Sequence, residues 1–103
     1  MVVALVVNIE LNEGHRDEWF KHFTPIVEQV KLHEPNTLTY KLYEDPTNPN
    51  KFVIFERYVS QADVESHRES KQFQDFAKVA PPMMKVFIIN SFNETDTGFI
   101  ERK

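Results

Sequence analysis

The hydrophobic period of the chain switches between two and about 3.6 along its length, and each switch marks an element. Residues 2–11 alternate as a strand. Val3, Leu5, Val7, Ile9 and Leu11 share one face, and Val2, Ala4, Val6, Asn8 and Glu10 share the other. Both faces are largely apolar, which predicts a strand covered on both sides. From His15 to Leu32 the period lengthens, with Trp19, Phe23, Ile26, Val27 and Val30 at helical spacing. Asp17 and Glu18 suit the first turn of that helix and Lys31 the last. Pro25 is expected to kink or split it, and His33-Glu34-Pro35-Asn36 to end it.

Period two returns at residues 37–44, with Leu38, Tyr40 and Leu42 on one side. Asp45-Pro46-Thr47-Asn48-Pro49-Asn50 has the composition of a hairpin loop, and residues 51–59 form the third strand. Ser60 is placed to cap a helix starting at Gln61. Ser70 is placed to cap a further segment in which Phe73, Phe76, Ala77 and Ala80 share a face, and Pro81-Pro82 stops it. Residues 84–92 make a fourth strand, and residues 93–103 read as a polar tail in which Phe99 and Ile100 could dock. The expected organisation is therefore one domain over residues 1–92 followed by that tail.

Strand, helix, strand, strand, helix, strand is the ferredoxin-like βαββαβ plan, an α+β fold. Right-handed crossovers give an antiparallel sheet in the order 4-1-3-2 with the helices on one face. Val3, Leu5, Val7, Val53, Phe55 and Val59 are expected on the other face, where no helix remains to cover them. A second copy is the economical cover for such an apolar surface, so a homodimer is expected.

Composition narrows the chemistry. The chain has 103 residues and no cysteine, which removes disulfides, thiolate metal sites and cysteine nucleophiles. With two glycines and no glycine-rich phosphate loop, nucleotide binding has no support. A net charge of -4 argues against a nucleic-acid surface. The apolar start lacks a basic leader and no stretch reaches transmembrane length, so a cytoplasmic location without membrane association is expected.

Candidate chemistry centres on Glu56. Strand alternation sets it beside Phe52, Ile54 and Tyr58, and a carboxylate on an apolar face costs free energy unless paired or protonated. It is either a structural acid or a base facing a pocket between sheet and helices. His67, about three helical turns on, has an unperturbed pKa near ~6.5 suited to accepting a phenolic or enolic proton. Asn8, a polar break assigned to the helix-covered face, could orient a substrate carbonyl or oxyanion. Tyr40 and Tyr58 could contact a ligand. Trp19, Phe23, Phe73 and Phe76 are core residues by spacing, but one wall of any pocket must come from them. His15, Glu18 and His22 lie near one helical face, a pattern more often solvated than metal-binding.

The order His33-Glu34-Pro35, Tyr40, Asp45-Pro46, Phe52 to Tyr58 with Glu56 within it, Ser60-Gln61-Ala62, His67, Ser70 and Phe73 resembles the antibiotic-biosynthesis monooxygenase family, over roughly residues 3 to 90. Asn36 departs from the pattern, in which a glycine usually follows Glu-Pro; asparagine tolerates similar turn geometry. The resemblance implies a dimeric α/β barrel. It also implies one of several activities: cofactorless oxygenation of aromatic polyketides, quinol monooxygenation, or isomerisation of a signal molecule. Sister members degrade haem, but their axial His after Ser-x-x-Phe is missing from Gln74 to Val79, and their Trp near the end of strand 3 is Tyr58 here.

Two functions stay open. One is a cofactor-independent monooxygenase-like enzyme for a small aromatic, quinol or enolic substrate, using Glu56, His67 and Asn8 within an aromatic wall. The other is a non-catalytic, stress-responsive dimeric barrel that binds a small hydrophobic ligand. Neither requires metal, haem, flavin or nicotinamide. In either, Glu56 is expected to contact His67 directly or through water and, if the two pair, to raise the histidine pKa.

Overall fold

The computed structural model describes residues 1–98 and 100–102. The elements run β1 (Val3–Leu11), α1 (Arg16–His33), β2 (Thr37–Glu44), β3 (Lys51–Tyr58), α2 (Gln61–Glu69), α3 (Lys71–Val79), a 3-10 turn (Pro81–Met83) and β4 (Met84–Asn93). The sheet is antiparallel in the order β2-β3-β1-β4, as expected of the ferredoxin-like plan. The expected docking of Phe99 lies outside the described residues, and Ile100 is exposed. Among the described residues, no helix is long and apolar enough to cross a membrane.

The helices end where the sequence carries punctuation. Ser60 Oγ accepts the Asp63 N–H at the start of α2, and Ser70 Oγ accepts the Phe73 N–H at the start of α3. Each side chain satisfies a backbone donor that the helix cannot. Ser70 is extended (φ -62°, ψ 148°), so it breaks what would otherwise be one helix and re-aims Phe73 and Phe76. Pro25 does not split α1, which runs unbroken from Arg16 to His33. Proline there is exposed, so the carbonyl one turn earlier that loses its N–H partner lies on the water side.

The face assignment of β1 is corrected by its register. Leu5 pairs with Glu56, Val7 with Ile54 and Ile9 with Phe52. Directly paired residues point the same way, so Val3, Leu5 and Val7 face the helices and are buried in the core. Asn8 pairs with Val53 and Val6 with Phe55, which puts Asn8 on the open face, not beneath the helices. Both faces of β1 are apolar, so alternation fixed two sets without saying which one the helices cover. The open face instead carries Val2, Val6, Val53 and Phe55, joined by Ile88 and Phe92 of β4. Arg57 and Glu94 close one end of it through paired hydrogen bonds of 2.9 and 3.0 Å.

The core between helices and sheet is aromatic. Trp19 is fully buried, stacked on Phe23 (4.7 Å, 15°) and on Phe52 (5.8 Å, 3°). Its Nε1 has no hydrogen-bond partner among the described residues. A buried indole N–H without an acceptor forfeits part of what the ring contributes. We predict that Trp19→Ala lowers stability by about 3–5 kcal/mol, the range for emptying a core aromatic site. Trp19→Phe should cost markedly less, because it removes the unsatisfied donor while keeping a stacking ring; urea unfolding of both variants measures the difference.

Candidate functional site

At one end of this core, β3, β2 and α2 bring four ionisable side chains, Glu56, Tyr40, His67 and Arg68, around a cavity. Glu56 and Tyr58 lie two residues apart on β3, hence on one face, and the Tyr58 hydroxyl donates to Glu56 Oε1 at 2.6 Å. Tyr40 on β2 pairs directly with Glu56 across the sheet. His67 projects from the last turn of α2, its ring centroid 5.3 Å from Tyr40, 5.6 Å from Tyr58 and 5.4 Å from Phe73.

No direct hydrogen bond joins His67 to Glu56, so of the two forms of contact expected the direct one is not made. The partner of His67 is Glu34, whose Oε1 lies 2.9 Å from Nδ1. Glu34 caps the end of α1, and Thr37 also donates to the same oxygen at 3.0 Å. A carboxylate only accepts, so Nδ1 carries the proton and donates, and Nε2 is the lone-pair nitrogen. Among the described residues nothing hydrogen-bonds Nε2.

Burial sets the protonation states. Glu56 is 5 % exposed, and its pKa is pushed from 4.5 to about 7. Desolvation is the main cause; the Tyr58 hydrogen bond and the Arg68 charge oppose it, and the Glu34 charge adds to it. His67 is lowered rather than raised, chiefly by desolvation, with the Arg68 charge adding and Glu34 opposing. Tyr40 and Tyr58 are held well above the ordinary phenol range by burial and the Glu56 charge, and stay neutral. The site near neutral pH is thus a neutral imidazole facing a carboxyl that titrates close to pH 7.

Glu56, His67, Tyr40, Phe23, Phe73 and Phe76 of the expected residues line this cavity. Tyr58 stands behind Glu56 and holds it, and Trp19 belongs to the deep core. Asn8 is on the opposite face of the sheet and cannot reach the cavity. Two residues went unassigned in the sequence: Glu34, and Arg68, which lines the wall next to His67. Glu34 stood in the His-Glu-Pro run, but its partner is 33 residues away, beyond any local spacing. The His15, Glu18, His22 set forms only a surface contact, His22 Nε2 to Glu18 Oε1 at 3.0 Å. No cluster able to hold a metal ion occurs among the described residues.

The free space inside is small, about 30 Å³, enough for a water or two. A second hollow of about 200 Å³ adjoins it between α3 and β4, sharing the walls Phe73, Phe76 and Phe87.

The family model for the antibiotic biosynthesis monooxygenases matches residues 2–79, which takes in every residue of the polar cluster. The chain belongs to that family. A Synechocystis protein, sll1783, is 24% identical over 82 residues, covering 80% of this chain. The chain spans about half the length of that relative, 55%. An isomerase of (4S)-4-hydroxy-5-phosphonooxypentane-2,3-dione from Salmonella paratyphi B is 27% identical over 82 residues, covering 77% of this chain and 83% of that one. Rv0793 from Mycobacterium tuberculosis has the same fold, with a TM-score of 0.85 at 18% identity over 96% of this chain and 100% of that one.

The raised pKa of Glu56 makes stability pH-dependent. Between pH 4.5 and about 7 the folded chain keeps a proton on Glu56 that the unfolded chain has released. Stability therefore falls as pH rises through that window and levels off above it. Glu56→Gln abolishes this slope. Relative to the parent, the variant should gain roughly 2–3 kcal/mol between pH 5 and pH 8, read from urea midpoints at the two pH values.

Proposed function

We propose that the protein is a cofactor-independent monooxygenase acting on a small quinol, aromatic or enolic substrate in the cavity of Glu56 and His67. The observation that carries this reading is the hydrogen bond from His67 Nδ1 to Glu34. It leaves Nε2 as a base among aromatic rings, where a substrate hydroxyl can give up its proton. The resulting phenolate or enolate is electron-rich enough to reduce oxygen directly. For a quinol, one oxygen atom then adds to carbon and the other leaves as water, the substrate losing two hydrogens. Glu56, titrating near pH 7, can return a proton to a developing peroxide oxygen. The monooxygenase description of the family supports the reaction class, and a cytoplasmic location goes with it.

Proton transfer on an enol without oxygen uses the same pair, and the isomerase among the relatives favours it as a second reading. Oxygen consumption by the protein with hydroquinone and related quinols separates the two. Uptake is expected; its absence, with hydrogen exchange into an enolisable dione, supports isomerisation, and absence of both supports a ligand-binding barrel. His67→Ala should reduce turnover by roughly 10²–10⁴-fold, as for loss of a general base. Glu34→Gln should lower the His67 pKa further by removing the charge that supports its protonation, and move the acidic limb of the pH–rate profile down.

The reading includes a homodimer. Val6, Phe55, Ile88 and Phe92 form an apolar open face that a second copy can cover sheet to sheet. Phe55→Asp leaves the helix-covered core untouched and should convert the dimer to monomer in equilibrium sedimentation at micromolar concentration.

A further inference from the structure

Arg68 occupies an unusual position. It follows His67 in the last turn of α2 and lines a cavity whose other walls are mostly apolar. Its guanidinium acts on both central groups, favouring the charged form of Glu56 and disfavouring that of His67. No ion pair or side-chain hydrogen bond engages it among the described residues; only its backbone carbonyl is used, accepting from Gln74 Nε2 at 2.6 Å. The two acids of the cluster each have at least one partner, though Glu34 Oε2 has none among the described residues. Glu34 is held by His67 and Thr37, Glu56 by Tyr58. A guanidinium keeps its charge at any physiological pH and presents a planar fork of donors. Half-buried beside apolar walls, it is less screened than a surface arginine.

We propose that Arg68 is the specificity residue of this cavity and selects ligands that carry an anionic oxygen group, a carboxylate or a phosphate, beside the reacting hydroxyl. The inference rests on the reading above that this cavity takes the substrate, and it narrows the substrate class to hydroxylated acids or phosphate esters. The adjoining hollow between α3 and β4 receives the ring or chain, with Phe73 and Phe87 as its sides. The anionic group then lies toward Arg68, and the hydroxyl toward His67 Nε2. An anion there also strengthens the imidazole as a base, because it offsets the guanidinium charge that opposes protonation of His67.

The test is binding without turnover, by calorimetry under nitrogen with salicylate, phenol and 2-hydroxyphenyl phosphate. Salicylate or 2-hydroxyphenyl phosphate should bind the parent about tenfold to a hundredfold more tightly than phenol, the range for a charge-assisted hydrogen-bonded pair. The tighter of the two identifies a carboxylate or a phosphate. Arg68→Gln should abolish the preference, so that the anions bind no more tightly than phenol does to the same variant, and Arg68→Lys should keep part of it. Equal binding of phenol and both anions, no binding of either anion at millimolar concentration, or a preference that survives Arg68→Gln overturns the inference. Oxygen uptake plays no part in this measurement. A protein that selects anions but consumes no oxygen would refute the proposed reaction and leave the role of Arg68 standing; the reverse result would do the opposite.

Discussion

The pairing of Leu5 with Glu56 is the constraint on which the rest depends. It sets one carboxylate into an otherwise apolar layer between sheet and helices. A one-residue slip of β3 against β1 would turn Glu56 to the open face and send Phe55 and Arg57 inward. What resists the slip is the set buried with it: Val3, Val7, Ile9, Phe52, Ile54 and Tyr58. The hydrophobic effect over those positions holds a group in place that by itself destabilises the fold. The raised pKa of Glu56 is the measure of that tension, and a carboxyl titrating near neutrality is its chemical consequence.

The two acids of the cluster, Glu56 buried and Glu34 half-buried, are treated differently, and the difference assigns their roles. Glu34 accepts from His67 and Thr37 through one oxygen. Its part is to orient an imidazole. Glu56 has a single phenolic donor, Tyr58, whose own proton is held tightly. One hydrogen bond does not offset the desolvation, so the proton of Glu56 is the loosely held one. An acid with few partners can change state during a reaction; an acid tied to a base cannot do so without losing its hold on it.

The order of elements, the sheet order, both serine caps and the place of Glu56 on an apolar face were legible in the sequence, because each rests on local chemistry or on period. The faces of β1 were not. Alternation separates Val3, Leu5 and Val7 from Val2, Val6 and Asn8, yet both sets are apolar enough to be buried, and only pairing with β3 decides between them. Asn8 was misplaced for that reason. The partner of His67 was hidden for another. Glu34 and His67 meet because the fold sets the residue that ends α1 beside the last turn of α2, a fact of topology rather than spacing. Arg68 carried no signal, since a basic residue at a helix C-terminus is ordinarily explained by the helix dipole.

The size of the cavity connects the polar cluster to the aromatic wall. About 30 Å³ of free space does not admit a ring; a cavity known to take benzene is about 150 Å³. The neighbouring hollow is large enough but is divided from Glu56 and His67 by Phe73, Phe76 and Phe87. Phe76 is buried, whereas Phe73 is half-buried and Phe87 is 41% exposed. The two freer rings are therefore the ones that can turn aside when a ligand enters. They sit on α3 and β4, while Glu34 caps α1 and His67, Tyr40 and Glu56 sit on α2, β2 and β3. The chain thus keeps its proton-handling groups on the well-packed side of the cavity and its adaptable walls on the other. The break at Ser70 puts Phe73 on a helix separate from the one that carries His67.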